Sequence, residues 1–171
     1  MRKITYLFLA LTFLFTACEG PQGPPGFDGF DGLDGQDGGL IVSSAFEIVV
    51  DFNTDNDFEY FEAYGFEVFP SDVTLVYILW DTIDGQDIWR LLPQNEYFDD
   101  GSFLTYNFDF TRDDVRFFLD GTADLPTLDD VWTQDQVFRV VVVPADNVDG
   151  LDTSNLNLIM EANDIEAFEI R

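Results

Sequence analysis

The chain has 171 residues, with 34 acidic side chains against 7 basic ones, no histidine and a formal net charge of −27. Such a balance opposes binding to nucleic acid or to anionic lipid headgroups, and favours cations and solubility. No histidine and a single cysteine exclude Cys/His and Ser/His/Asp catalysis and the usual zinc sites. Because 46% of the residues are hydrophobic and 19 are phenylalanine, the acidity does not imply disorder, and a packed core is expected.

Met1, Arg2 and Lys3 make a short positive start, followed by a largely apolar run of 14 residues from Ile4 to Ala17. At ~1.5 Å per residue a helix of that length spans ~21 Å, short of the ~30 Å hydrocarbon core, so residues 1–17 read as a signal peptide and not as a membrane span. Leu14, Phe15, Thr16 and Ala17 before Cys18 resemble a bacterial lipobox, with Phe15 in a place usually held by an aliphatic residue. The resemblance implies diacylglycerol on the Cys18 sulfur, cleavage before it and N-acylation of the new terminus. Two or three acyl chains then suffice for a stable anchor. Glu19 resembles the acidic residue that follows the cysteine in some surface-displayed lipoproteins, so the outer membrane is expected, with the cell surface preferred to the periplasmic face.

Residues 20–37 form six G-x-y triplets, GPQ-GPP-GFD-GFD-GLD-GQD. Glycine at every third place is what a collagen triple helix requires, since only glycine fits its axis. Proline is sparse, however, and Asp28, Asp31, Asp34 and Asp37 share one register, so aligned chains would set carboxylates side by side with no lysine to offset them. Residues 18–39 therefore read as a lipidated cysteine on an extended tether for a monomer, reaching ~55–60 Å at ~3 Å per residue. A homotrimer is the alternative.

From Leu40 onward the pattern changes to short aromatic and β-branched runs split by Asp/Gly turns, which predicts an all-β domain over 40–171: a single antiparallel β-sandwich, Ig-like, of about seven strands. Phe46, Ile48, Val50 and Phe52 alternate with Glu47, Val49 and Asp51, as in a strand with one apolar face. Val73–Thr82 is apolar on both faces and suits a central strand. Asp84-Gly85 predicts a hairpin turn into Ile88–Leu92, and Pro93 should end that strand. Leu104, Tyr106, Phe108 and Phe110 line one face of the next strand, followed by Val115–Leu119 and Asp120-Gly121. Val137–Val143 is the most strand-like run, stopped by Pro144, with Arg139 expected to pair with a carboxylate on a sheet face. Thr153 or Ser154 should cap a short helix carrying Leu156, Ile159 and Met160, before a last strand or tail through Ile165, Phe168 and Ile170.

Lipobox, G-x-y tether and the strand set VTLVYILW, IWRLLP and VFRVVVVPA together resemble a group of collagen-like lipoproteins of Gram-negative bacteria. That resemblance implies architecture and address, and no activity.

The run Asp51 to Glu62 offers oxygen ligands at places 1, 3, 5, 7, 9 and 12 of a twelve-residue loop: Asp51, Asn53, Asp55, Asp57, Glu59 and Glu62. This spacing matches a calcium loop of the EF-hand kind, with Asn56 replacing the usual glycine and tolerating the left-handed turn. The competing reading is an acidic connection between strands, because turns favour Asp and Asn and the preceding segment reads as strand. The acidic loops at 146–152 and 81–87 carry the same two readings. Adjacent carboxylates such as Asp99/Asp100, Asp113/Asp114 and Asp129/Asp130 could in principle serve a glycosidase, but side by side in turns they are expected to face water. Trp132, in the polar stretch LDDVWTQDQ, is the candidate for a ligand contact, whereas Trp80 is expected in the core. The leading expectation is a non-catalytic binding or structural module on a lipid-anchored spacer. A calcium-dependent module for carbohydrate or protein is the alternative, and a carboxylate hydrolase the remote one.

Overall fold

The structure, a computed structural model, describes residues 44–171. The leader, Cys18 and the glycine triplets lie outside the described residues. Nine strands are formed: β1 (Ser44–Val50), β2 (Glu59–Ala63), β3 (Asp72–Ile83), β4 (Gln86–Leu91), β5 (Gln94–Tyr97), β6 (Phe103–Phe110), β7 (Asp114–Gly121), β8 (Gln136–Pro144) and β9 (Glu169–Ile170). They make a sandwich of a five-stranded sheet, ordered β4-β3-β8-β1-β9, and a four-stranded sheet, ordered β2-β7-β6-β5. The all-β sandwich is as expected. The strands number nine and not about seven, because β2 and β5 are short edge strands with little apolar pattern, and β9 runs parallel to β1 while the other pairs are antiparallel.

Alternation decides which side chains meet between the sheets. Phe46, Ile48 and Val50 of β1, Phe138, Val140 and Val142 of β8, Leu104 and Tyr106 of β6, and Val115, Phe117 and Leu119 of β7 are all buried there. Phe138 from one sheet meets Phe117 from the other with ring centroids 4.8 Å apart. Each such side chain, fully buried, stabilises the fold by roughly 1.5–3 kcal/mol.

The two-sided apolar character of β3 and β8 has a different cause from the one usual in parallel sheets. Their outward residues Tyr77, Val141 and Val143 are buried under a second cluster supplied by the C-terminal segment, with Leu156, Ile159 and Ile165. The helix Leu156–Ala162 is capped one or two residues later than expected: Asn155, not Thr153 or Ser154, caps it, its side chain accepting from Leu158 N. Tyr77 Oη donates to Thr153 O at 2.6 Å and ties this cover to β3. After the helix the chain returns as β9, and Arg171 N donates to Glu47 O.

Two turns need special backbone. Asp84 and Gly85 have φ of 53° and 79°, the two left-handed residues of a tight hairpin joining β3 to β4. Gly121, at φ +130°, passes so close to β6 that a Cβ would lie 2.2 Å from Phe103 O, so only glycine fits. Among the described residues no helix is long and apolar enough to cross a membrane.

Candidate functional site

An aromatic cleft opens where β3 parts from its neighbour. β3 pairs with β8 only over Asp72–Ile78, whereas it continues with β4 to Ile83. A bulge between Leu79 and Asp81 leaves Trp80 without an opposite residue on β4, a device that re-aims one side chain. Beyond Ile78 the start of β8 therefore stands apart from β3, and the gap is bounded across the sandwich by β5 and β6. The result is a cleft of about 420 Å³ whose lining includes Trp80, Tyr106, Trp132, Glu96, Asp135 and Gln136.

Each of these side chains is placed by a traceable local cause. Trp80 is half-buried, stands edge-on to Tyr106 at 6.3 Å and carries the Arg90 guanidinium 4.3 Å from its ring centroid. Trp132 lies on the one-turn helix Asp130–Thr133 and packs edge-on to Phe98 at 5.6 Å. Tyr106 Oη donates to Trp132 O at 2.8 Å, fixing that helix to β6. Burial, with the charge of Glu96 nearby, pushes the Tyr106 hydroxyl above its ordinary pKa. Gln136 Nε2 donates to Val131 O and Gln134 O, and Asp135 sits at φ 53° with its N–H held by Asp51 Oδ1 at 2.8 Å. Glu96 comes from the inward face of β5, opposite Leu104.

The six residues of the Asp51–Glu62 run are placed apart in their tasks. Asn53 Oδ1 accepts from the backbone N–H of Asp55 and Asn56, and Asn56 Oδ1 accepts from those of Asn53 and Phe58. The left-handed residues are Asp57 and Phe58, at φ 52° and 57°, and not Asn56. Glu59 and Glu62 already belong to β2, where Glu59 pairs with Arg116 at 3.2 Å and Glu62 with Arg171 at 3.3 Å. Asp55 and Asp57 face solvent, and Asp51 orients Asp135. Among the described residues no group of three or more carboxylates is arranged to hold a metal ion. An extended strand at places 9 to 12 turns Glu59 and Glu62 to opposite faces, which separates the oxygens a calcium loop would gather.

The other acidic positions are used in turns. Asp100 accepts from Ser102 N and Oγ, and Asp152 from Ser154 N and Oγ; these bonds hold both carboxyls below their ordinary pKa. Asp81 and Asp87 bond Thr82, and Asp114 takes the Thr111 hydroxyl. Asp99, Asp113, Asp129 and Asp130 are exposed, and no residue of the three adjacent pairs lines the aromatic cleft.

Trp132, a candidate ligand contact from its polar neighbours, is half-buried, packs on Phe98 and lines the cleft. Trp80 was read only as core; it packs on the core and lines the cleft as well. Glu96 and Tyr106 gave no signal as site residues, because their meeting depends on the sheets' facing edges. Comparison of the chain with protein families, with characterised proteins and with solved structures finds no match.

Proposed function

We propose that this chain is a lipid-anchored protein of the bacterial outer membrane that holds out a carbohydrate-binding β-sandwich on a collagen-like spacer. The anchor and spacer rest on Cys18 behind its apolar run and on the G-x-y triplets. The binding reading rests on one observation: Trp80 and Trp132, both half-buried, line the same cleft of about 420 Å³ beside the carboxylates of Glu96 and Asp135. Indole rings offer broad apolar surface to the C–H face of a pyranose, while carboxylates accept from its hydroxyls. The cleft volume suits a small ligand or a few sugar units. The reading assigns the cleft binding and no chemical step.

The test uses the full chain in detergent micelles, titrated with neutral and amine-bearing oligosaccharides while tryptophan fluorescence is followed. Saturable quenching that disappears in Trp132→Ala supports the reading. Absence of a response to every saccharide class would sink it. For the anchor, Cys18→Ser should move the protein from the membrane to the soluble fraction, and unchanged membrane retention would refute lipidation there.

A further inference from the structure

The cleft has a chemical bias beyond its shape. Two of its four side-chain donors are committed: Gln136 Nε2 serves Val131 O and Gln134 O, and the Tyr106 hydroxyl serves Trp132 O, which leaves the indole N–H groups of Trp80 and Trp132. Among the described residues the lining contains no arginine or lysine, and no ion pair holds Glu96 or Asp135. What faces a ligand is therefore two carboxylates, two indole rings and only neutral N–H groups. Such a lining accepts hydrogen bonds and positive charge, and the one cation beside it, Arg90, lies over the Trp80 ring at 4.3 Å and is outnumbered by the two carboxylates.

Aromatic rings add to the same bias, since a cation over an indole face is attracted by the ring quadrupole. This protein uses that contact repeatedly in its own packing: Arg90 lies over Trp80 at 4.3 Å, Arg139 over Trp89 at 4.0 Å and Arg171 over Phe46 at 4.1 Å. The wider field has the same sign, with a formal net charge of −27, and a negative cleft concentrates cations and repels anions.

We infer that the cleft selects saccharides bearing a protonated amine over their N-acylated counterparts, and rejects uronate, sulfated and phosphorylated ones. The inference rests on the carbohydrate reading above and deepens it: a pyranose ring lies against Trp132, beside Trp80 and the Arg90 that covers it, while its ammonium group pairs with Glu96 and Asp135.

The experiment titrates the full chain in micelles with a β-1,4-linked glucosamine tetramer, its fully N-acetylated counterpart and a galacturonate tetramer, below the amine pKa. The expected result is about tenfold tighter binding of the amine form than of the acetylated form, no binding of the uronate, and a preference that fades as salt rises. The double variant Glu96→Gln, Asp135→Asn should bring amine and acetylated forms to similar affinity while both still bind. Equal binding of the two forms by the unaltered protein would overturn the charge selection and leave the carbohydrate reading standing. No binding of any tetramer would sink both. Unchanged amine binding in Trp132→Ala would mean adsorption to the acidic surface and also overturn the inference.

Discussion

Arg139 and Glu47 stand directly opposite each other on β8 and β1, with Arg139 Nε donating to Glu47 Oε2 at 2.9 Å. The guanidinium also lies over two rings, 4.0 Å from the centroid of Trp89 and 4.5 Å from that of Phe168. One side chain thereby joins β4, β8, β1 and the C-terminal segment on the outward face of the five-stranded sheet. The pair is half-buried, so it is worth more than an exposed ion pair and less than a fully desolvated one.

Arg139→Ala removes the ion pair and both ring contacts, and the expected loss is about 2 kcal/mol in urea denaturation. Glu47→Gln keeps the rings and a neutral acceptor, with about 1 kcal/mol expected. A double-mutant cycle gives the coupling between the two. A coupling near zero would mean that Arg139 acts through packing on Trp89 and Phe168 alone.

The Asp51–Glu62 run holds itself together by amide side chains. Asn56 Oδ1 accepts from Asn53 N at 2.9 Å and Phe58 N at 3.1 Å, while its Nδ2 donates to Asp51 O at 2.7 Å. Asn56→Ala is expected to cost about 1–2 kcal/mol, as for loss of a helix cap, and equally in calcium and in EDTA at matched ionic strength. Asp55→Asn and Asp57→Asn should each stay within about 0.5 kcal/mol. A loss at Asn56 that appears only with calcium present would restore the calcium-loop reading.

Much of the sandwich was legible because the local and global preferences agree. Phe46, Ile48 and Val50 alternate in sequence and are buried in the fold, and Asp84-Gly85 forms the hairpin its residues predict. β2 was hidden because its carboxylates sit at ligand-like spacing, and the partners that settle their role are remote in sequence: Arg116 is 57 residues from Glu59, and Arg171 is 109 from Glu62. The cleft was hidden for a similar reason. Its existence depends on β3 leaving β8 after Ile78, and apolar alternation carries no information about where two distant strands stop pairing.

Alkaline pH should test the buried tyrosines. Burial raises the Tyr77 and Tyr106 hydroxyls above their ordinary value of 10.0, with Asp152 and Glu96 adding to the respective shifts. Folding therefore favours the protonated form, and the unfolded chain loses its protons first. The corresponding stability is fully present below pH ~10 and is lost as pH rises from there through the raised folded values. Urea midpoints should fall above pH ~10, and Tyr106→Phe should flatten that fall while costing about 1 kcal/mol at neutral pH for the lost bond to Trp132 O. An alkaline limb unchanged in both Tyr77→Phe and Tyr106→Phe would place the sensitivity elsewhere.

The C-terminal cover is open to a paired comparison, because neighbouring residues of one helix face opposite ways. Ile159 is fully buried against the outward face of the five-stranded sheet, whereas Leu158 is 40% exposed. Ile159→Ala opens a cavity over Tyr77 and Val141 and is expected to cost about 2–4 kcal/mol. Leu158→Ala leaves that packing intact and should change stability by about 0.5 kcal/mol or less. Binding of a hydrophobic dye should rise in the first variant only, since loosening this helix uncovers apolar surface on β3 and β8. Equal, small losses in both variants would mean that the helix contributes little to the closed sheet face, and the second core would then have to be assigned to Ile165 and Phe168.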